Sequence, residues 1–202
     1  GSVEDAIQVR DEAVLYGLSK YIPDVCEELG SMAGDLWEAA DLLPVSGRLL
    51  FASQLRYRRQ DEPVLDAWLA VNCIREWRGD THWALQIADG LSGVESGVLD
   101  GAWRNYGDDW LPRSRGADDA LLSDAYSKLE ERGLAQDGKV NDAGIAHRIM
   151  LEEKLDKAAV LAWQYLGDER TTRFVELVDS VGDVLMRRID ETAGKKWMPA
   201  GR

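Results

Sequence analysis

Apolar residues recur along most of the chain at the three-and-four spacing of a helix. Val3, Ile7, Val14, Leu15 and Leu18 predict a first helix over 3–20 that must stop near Pro23. Val25, Leu29, Met32 and Leu36 then follow at intervals of four, three and four, one face of a second helix that Pro44 ends at the latest. A third helix is predicted over 47–59, with Leu50, Phe51 and Leu55 inward and Arg56, Arg58 and Arg59 at the C-terminal end, where cations suit the helix dipole. Pro63 fits the first turn of a fourth, which runs through Leu65, Trp68, Leu69 and Ile74 towards Arg78. Asp80 is placed to cap a continuation to Asp89, with Gly90 as its stop.

From Ser92 the pattern changes. Ser92 caps a helix carrying Val94, Val98, Leu99, Ala102 and Trp103, which Gly107 breaks. A short piece over 108–114 holds Trp110 and Leu111, and Gly116 supplies a tight turn. Asp118 opens the next helix, with Leu121, Leu122, Ala125, Tyr126 and Leu129 as its stripe and Gly133 as its stop. The order is helix, turn, helix. Asp137-Gly138 between short β-capable flanks is a strong hairpin signal and reads as a wing. Asn141 caps a long helix through Ile145, Ile149, Leu155 and Val160 to about Tyr165. After Gly167 a last helix starts at Asp168, with Phe174, Leu177, Val178, Val181 and Leu185 inward. The fold class is therefore mainly α: a helical N-terminal half plus a winged helix-turn-helix with a short β-hairpin wing. The expected organisation is a helical region over 3–90, the winged helix-turn-helix over 91–166, and a C-terminal helix over 167–193 that suits dimerisation.

Composition narrows the class. With 45% of 202 residues hydrophobic, the chain can build one core or two small ones. No apolar run is long enough to cross a bilayer, and no basic start precedes an apolar stretch, so a cytoplasmic location and no membrane partner are expected. Gly1 and Ser2 read as the remnant of a cleaved tag. Cys26 and Cys73 lie singly in apolar periodic stretches and read as buried, reduced thiols. Thirty-seven acidic against 24 basic residues leave a net charge of −13, which repels nucleic acid at long range unless a basic patch overrides it.

The run from Lys128 to Leu134, then Asp137-Gly138, then Val140-Asn141-Asp142-Ala143-Gly144, resembles the recognition-helix end and wing of MarR-like winged-helix regulators. A wider set resembles an actinobacterial family of MarR-like helix-turn-helix proteins of unsettled function: Ile74 to His82 with its Arg-Glu-x-Arg-Gly-Asp-x-His string, Trp110 to Gly116, the wing, Ala162-Trp163 and Leu166-Gly167. Members of that family often carry a further N-terminal region, so the resemblance implies a short or truncated member. It also implies a homodimer paired through terminal helices, here 169–191 with Met186 and Ile189 extending the apolar face. The departure from the pattern matters. A recognition helix needs cations or amides at its exposed positions. The helix from Asp118 to Glu131 offers Asp118, Asp119, Asp124, Glu130 and Glu131 against Lys128 alone. DNA is therefore a doubtful partner. The residues left to touch a phosphate backbone are Arg113, Arg115, Lys128, Arg132 and Lys139, and solvated surface charge explains them as well.

A second constellation lies upstream. Trp68, Asn72, Arg75, Gly79, His82 and Gln86 follow at intervals of four, three, four, three and four, one face of a helix if it continues past Gly79. Arg75 would hold an anion in a bidentate fork, Gly79 would leave room, and Arg78 with Asp80 adjoin. The competing reading is a plain solvent face with a Gly-Asp break. Six of the eight tryptophans (68, 77, 83, 103, 110 and 163) cluster around this stripe and the motif, as a pocket lining or as core. Arg78-Gly79-Asp80 as an integrin tripeptide is coincidence. His82 and His147 are far apart in sequence, which leaves no His-rich metal site; there is no Gly-rich phosphate loop and no G-x-S-x-G elbow, and no catalytic residue or cofactor is assigned. The leading expectation is a winged-helix protein that binds a small organic or anionic ligand in its helical core, as a sensor or a repurposed member that has left DNA. The alternatives are a ligand-responsive, DNA-binding transcription regulator, and a small enzyme of secondary metabolism with His82 as acid or base and Arg75 as anchor.

Overall fold

The computed structural model describes residues 1–58 and 61–194. The chain is mainly helical, with one two-stranded antiparallel sheet. It divides into two compact units, residues 1–80 with 160–202 and residues 81–159, where the sequence suggested divisions near 90 and 166. Among the described residues no helix is long and apolar enough to cross a membrane.

The first unit begins with α1 (Val3–Tyr21), held by a capping box between Ser2 and Asp5. The second predicted helix is two, α2 (Pro23–Ser31) and α3 (Ala33–Asp41), joined at Met32, whose side chain is fully buried. The third shortens to α4 (Leu49–Gln54) and a 3-10 turn over Leu55–Tyr57. Phe51 points inward as expected, Leu50 is exposed, and Arg59 lies outside the described residues. The predicted break at Gly79-Asp80 does not occur, and α5 runs without interruption over Pro63–Ala88. Asp80 caps a different helix. Its carboxylate accepts from the Phe51 N–H at 3.0 Å, in the first turn of α4, which has no side-chain cap of its own. Leu36, Trp37, Leu65, Leu69, Cys73 and Trp77 form much of this core, and the Trp77 indole donates to the Pro44 carbonyl at 3.1 Å. Burial pushes the Cys73 thiol up to about 12, an inert group, whereas Cys26 is only half-buried.

The second unit holds the end of α5, α6 (Gly93–Trp103), α7 (Trp110–Ser114), α8 (Asp119–Glu131), β1 (Ala135–Gln136), β2 (Lys139–Val140) and α9 (Asp142–Ala159). Ser92 and Glu95 form the expected capping box of α6. Leu91, Val98, Leu99, Leu122, Ala125, Leu129, Leu134 and Leu151 make one apolar core. The wing turn puts Asp137 and Gly138 at φ of 51° and 70°, the left-handed pair that a two-residue hairpin requires. The chain then returns to the first unit as α10 (Leu161–Leu166), α11 (Asp168–Asp179) and α12 (Gly182–Thr192). Two predicted helices are thus divided, at Val160 and at Ser180–Val181. Val178 and Leu185, expected inward, are substantially exposed: α11 buries Phe174 and Leu177 and turns Val178 outward, and α12 buries none of its residues within the chain.

Candidate functional site

Helix α8 occupies the recognition position of the helix-turn-helix, and its local chemistry is set by carboxylates. Asp118 caps it by accepting from the Leu121 N–H at 2.9 Å. Leu122, Ala125 and Leu129 turn inward, which leaves Asp119, Ser123, Asp124, Ser127 and Lys128 outward. Each of three cations is then matched to an acid of the same unit at 2.7 Å: Arg113 to Asp119, Lys128 to Asp124 and Arg132 to Asp89. The hydrogen bond that Arg113 donates to Asp119 raises the Arg113 pKa, and the one that Lys128 donates to Asp124 does the same for Lys128. Asp89 also meets His147 Nε2 at 2.7 Å. Burial opposes its ionisation, but the bonds to Arg132 and His147 prevail and hold its carboxyl below the usual range. Arg115 and Lys139 are exposed and join no ion pair among the described residues.

The wing is pinned from beneath. The Gly138 N–H donates to Glu130 Oε1 at 2.8 Å, and the Asn141 amide donates to the Gly133 carbonyl at 3.1 Å while its oxygen caps α9 at Gly144. A Cβ at Gly144 would fall 2.2 Å from the Leu134 oxygen. The Gly-Leu, Asp-Gly and Val-Asn-x-x-Gly string is therefore a set of joints that close the wing on α8 and α9, and none of its bonds needs DNA.

The stripe on α5 is divided between the units. Trp68, Asn72, Arg75, Arg78 and Asp80 belong to the first, and His82 and Gln86 to the second. Arg75 has 71% of its side chain exposed and bonds Glu76 and, at 3.2 Å, Asn72 Oδ1. Asn72 in turn reaches Gln54 at 3.5 Å, Trp68 is half-buried, and Arg78 is exposed. The Arg75 guanidinium thus shares its bonds between Glu76 and Asn72 on an exposed part of the helix. His82 lies edge-on to Trp83 at 5.3 Å. Gln86 is 2% exposed, and its oxygen accepts from Ser96 at 3.1 Å, so it is a core amide.

Two features were not singled out from the sequence. In the second unit Arg148, 3% exposed, lies over the Trp103 ring and bonds Asp100 at 2.8 Å and Glu152 at 2.6 Å. Only the four-residue step to Glu152 is visible in the sequence. In the first unit a cavity of about 600 Å³ opens beside Trp37, with Glu38, Asp41, Arg58 and Asp66 among its lining. The Arg58 guanidinium lies 4.3 Å from the Trp37 ring centroid and pairs with Asp41. The buried Trp37 indole N–H has no acceptor among the described residues.

No curated protein and no solved structure matches the chain. The model of a helix-turn-helix family matches residues 1–191, from α1 to the penultimate residue of α12. With the wing, the capped α8 and this match in agreement, the chain belongs to that helix-turn-helix family.

Proposed function

We propose that this chain is a MarR-like winged-helix protein that binds a small organic ligand in its helical unit, as a sensor or a repurposed member, and whose helix-turn-helix face does not read DNA. The observation that carries this reading is the sequestration of cations: Arg113, Lys128 and Arg132 are each held by an acid of their own unit. A phosphate would have to displace a carboxylate to reach them, and the whole second unit sets fifteen acidic residues against nine basic ones. The cavity beside Trp37 supports the ligand half, since about 600 Å³ lies within the range of small-molecule sites and Trp37, Arg58, Glu38, Asp41 and Asp66 line it. The narrower likeness to actinobacterial MarR-like proteins rests on the string from Arg75 to His82. Exposed Val175, Val178, Val184 and Leu185 on α11 and α12 support pairing of two copies through these helices.

Three measurements test it. Fluorescence anisotropy with duplex DNA from upstream of the coding sequence should show no specific binding at physiological salt. A melting-temperature screen of aromatic carboxylates, phosphorylated metabolites and amines should give a stabilising compound whose effect is lost in Trp37→Ala and kept in Arg75→Ala. Tight, sequence-selective DNA binding, or a compound indifferent to Trp37, overturns the corresponding half. Light scattering should give a dimer mass, and a monomer at micromolar concentration removes the pairing. A second reading, the DNA-binding regulator, is favoured by Arg115 and Lys139, which stand free of ion pairs among the described residues beside an intact wing. It requires a salt dependence that shows several phosphate contacts.

A further inference from the structure

Between α6 and the wing, wholly within the second unit, lies a cavity of about 470 Å³. Helix α6 contributes Gly97, Val98, Gly101 and Ala102 to its wall, the loop after α6 supplies Asn105, Asp108 and Asp109, α8 supplies Tyr126, and the wing supplies Lys139. The loop is unusual. Asn105, Asp108 and Asp109 all sit in the left-handed region, at φ of 62°, 59° and 50°. Asn and Asp tolerate that region best among residues with a side chain, yet three within five positions must be held by their surroundings. Part of that support is visible: the Tyr126 hydroxyl donates to Asp109 Oδ1 at 2.6 Å. Burial, followed by that bond, raises the Tyr126 pKa, so the phenol stays protonated and the bond keeps its direction.

We propose that this cavity is a binding site for a small polyhydroxylated amine of aminosugar type. The inventory of groups selects the class. Asp108, Asp109 and Asn105 present carboxylate and amide oxygens that accept from hydroxyls and from an ammonium group, and Asp109 keeps acceptor capacity beyond its bond to Tyr126. Lys139 on the wing donates to a ring or hydroxyl oxygen. Two acids against one lysine exclude an anion and favour a single positive charge. The rings of Tyr106 and Tyr126, also in the lining, offer aromatic surface to the C–H face of such a molecule. The volume lies within the range of small-ligand sites. A ligand held by both the loop and Lys139 would tie the wing to the α6–α7 connection and so reduce wing opening.

The inference goes beyond the function proposed above, because it concerns a different cavity in the other unit. The test uses the full chain and four probes: glucosamine, glucose, glucuronate and benzoate. Glucosamine should bind saturably by calorimetry, glucose at least tenfold more weakly, and glucuronate and benzoate not at all. Asp108→Asn should weaken glucosamine at least tenfold, and Tyr126→Phe, which keeps the ring, should weaken it by a smaller factor. Amide exchange of Gly138 and Lys139 should slow on addition of glucosamine. Absence of saturable glucosamine binding overturns the proposal, as does equal affinity for glucuronate, affinity unchanged by Asp108→Asn, or affinity lost instead in Trp37→Ala. None of these results bears on DNA binding, which is read separately.

Discussion

Two arginines, one in each unit, show why similar sequence signals have different physical worth. Arg148 in α9 and Arg75 in α5 each bond acidic or amide oxygens of nearby residues. Arg148 is 3% exposed and stacked on Trp103, whereas the Arg75 side chain is 71% exposed. In the first case the charge has left water and depends on its partners; in the second water competes for every bond. The same contrast runs through both units. The winged-helix unit holds Arg113, Lys128, Arg132 and Arg148 on its own acids, while the α5 stripe runs from the exposed Arg75 to the buried Gln86.

Replacement of Arg148 by Ala should have the largest effect, about 3–5 kcal/mol of stability, because Glu152 and Asp100 would lose a shared counter-charge in a mostly buried site, with Asp100 keeping Arg104 at 3.3 Å. Denaturant unfolding reads it, and a loss below about 1 kcal/mol would equate Arg148 with Arg75. Gly144→Ala comes next. Its Cβ meets the Leu134 oxygen at 2.2 Å and Val140 Cγ1 at 2.6 Å, and since backbone cannot yield cheaply, a cost at or above the top of roughly 1–3 kcal/mol is expected, with faster amide exchange in the wing. Asp80→Ala should cost about 0.5–2 kcal/mol through the lost cap of α4, and Asp80→Asn should recover part of it. Smallest is Arg75→Ala, at no more than about 0.5 kcal/mol in thermal unfolding. A larger loss there would show that the stripe bears on folding after all.

Helix periods, caps and the Asp-Gly wing were legible because each is written in neighbouring residues, as with Ser92 and Glu95 or Asp137 and Gly138. Breaks at Met32, Val160 and Ser180 were not, since none carries a proline or a left-handed glycine; buried packing at Met32 takes precedence over a regular apolar period. Asp80 illustrates the converse. It looks like a cap for the residues that follow it, but its partner is 29 positions away. The surroundings of the α5 stripe were hidden for the same reason. A four-and-three stripe places residues on one helix face, but burial along that face varies from the exposed Arg75 to the core amide Gln86, and only tertiary neighbours decide which. The acidic character of α8 was readable, while the pairing that consumes its fringe spans six positions for Arg113–Asp119 and 43 for Arg132–Asp89.

The central claim is that carboxylates hold Arg113, Lys128 and Arg132 of the helix-turn-helix face, and a salt titration of duplex DNA binding by the wild type and by Asp119→Asn/Asp124→Asn tests it most directly. The account predicts no measurable wild-type binding at physiological salt, and in the variant a gain of affinity whose salt slope corresponds to roughly two released cations, Arg113 and Lys128. Tight wild-type binding to one sequence, with the same slope in the variant, would contradict it.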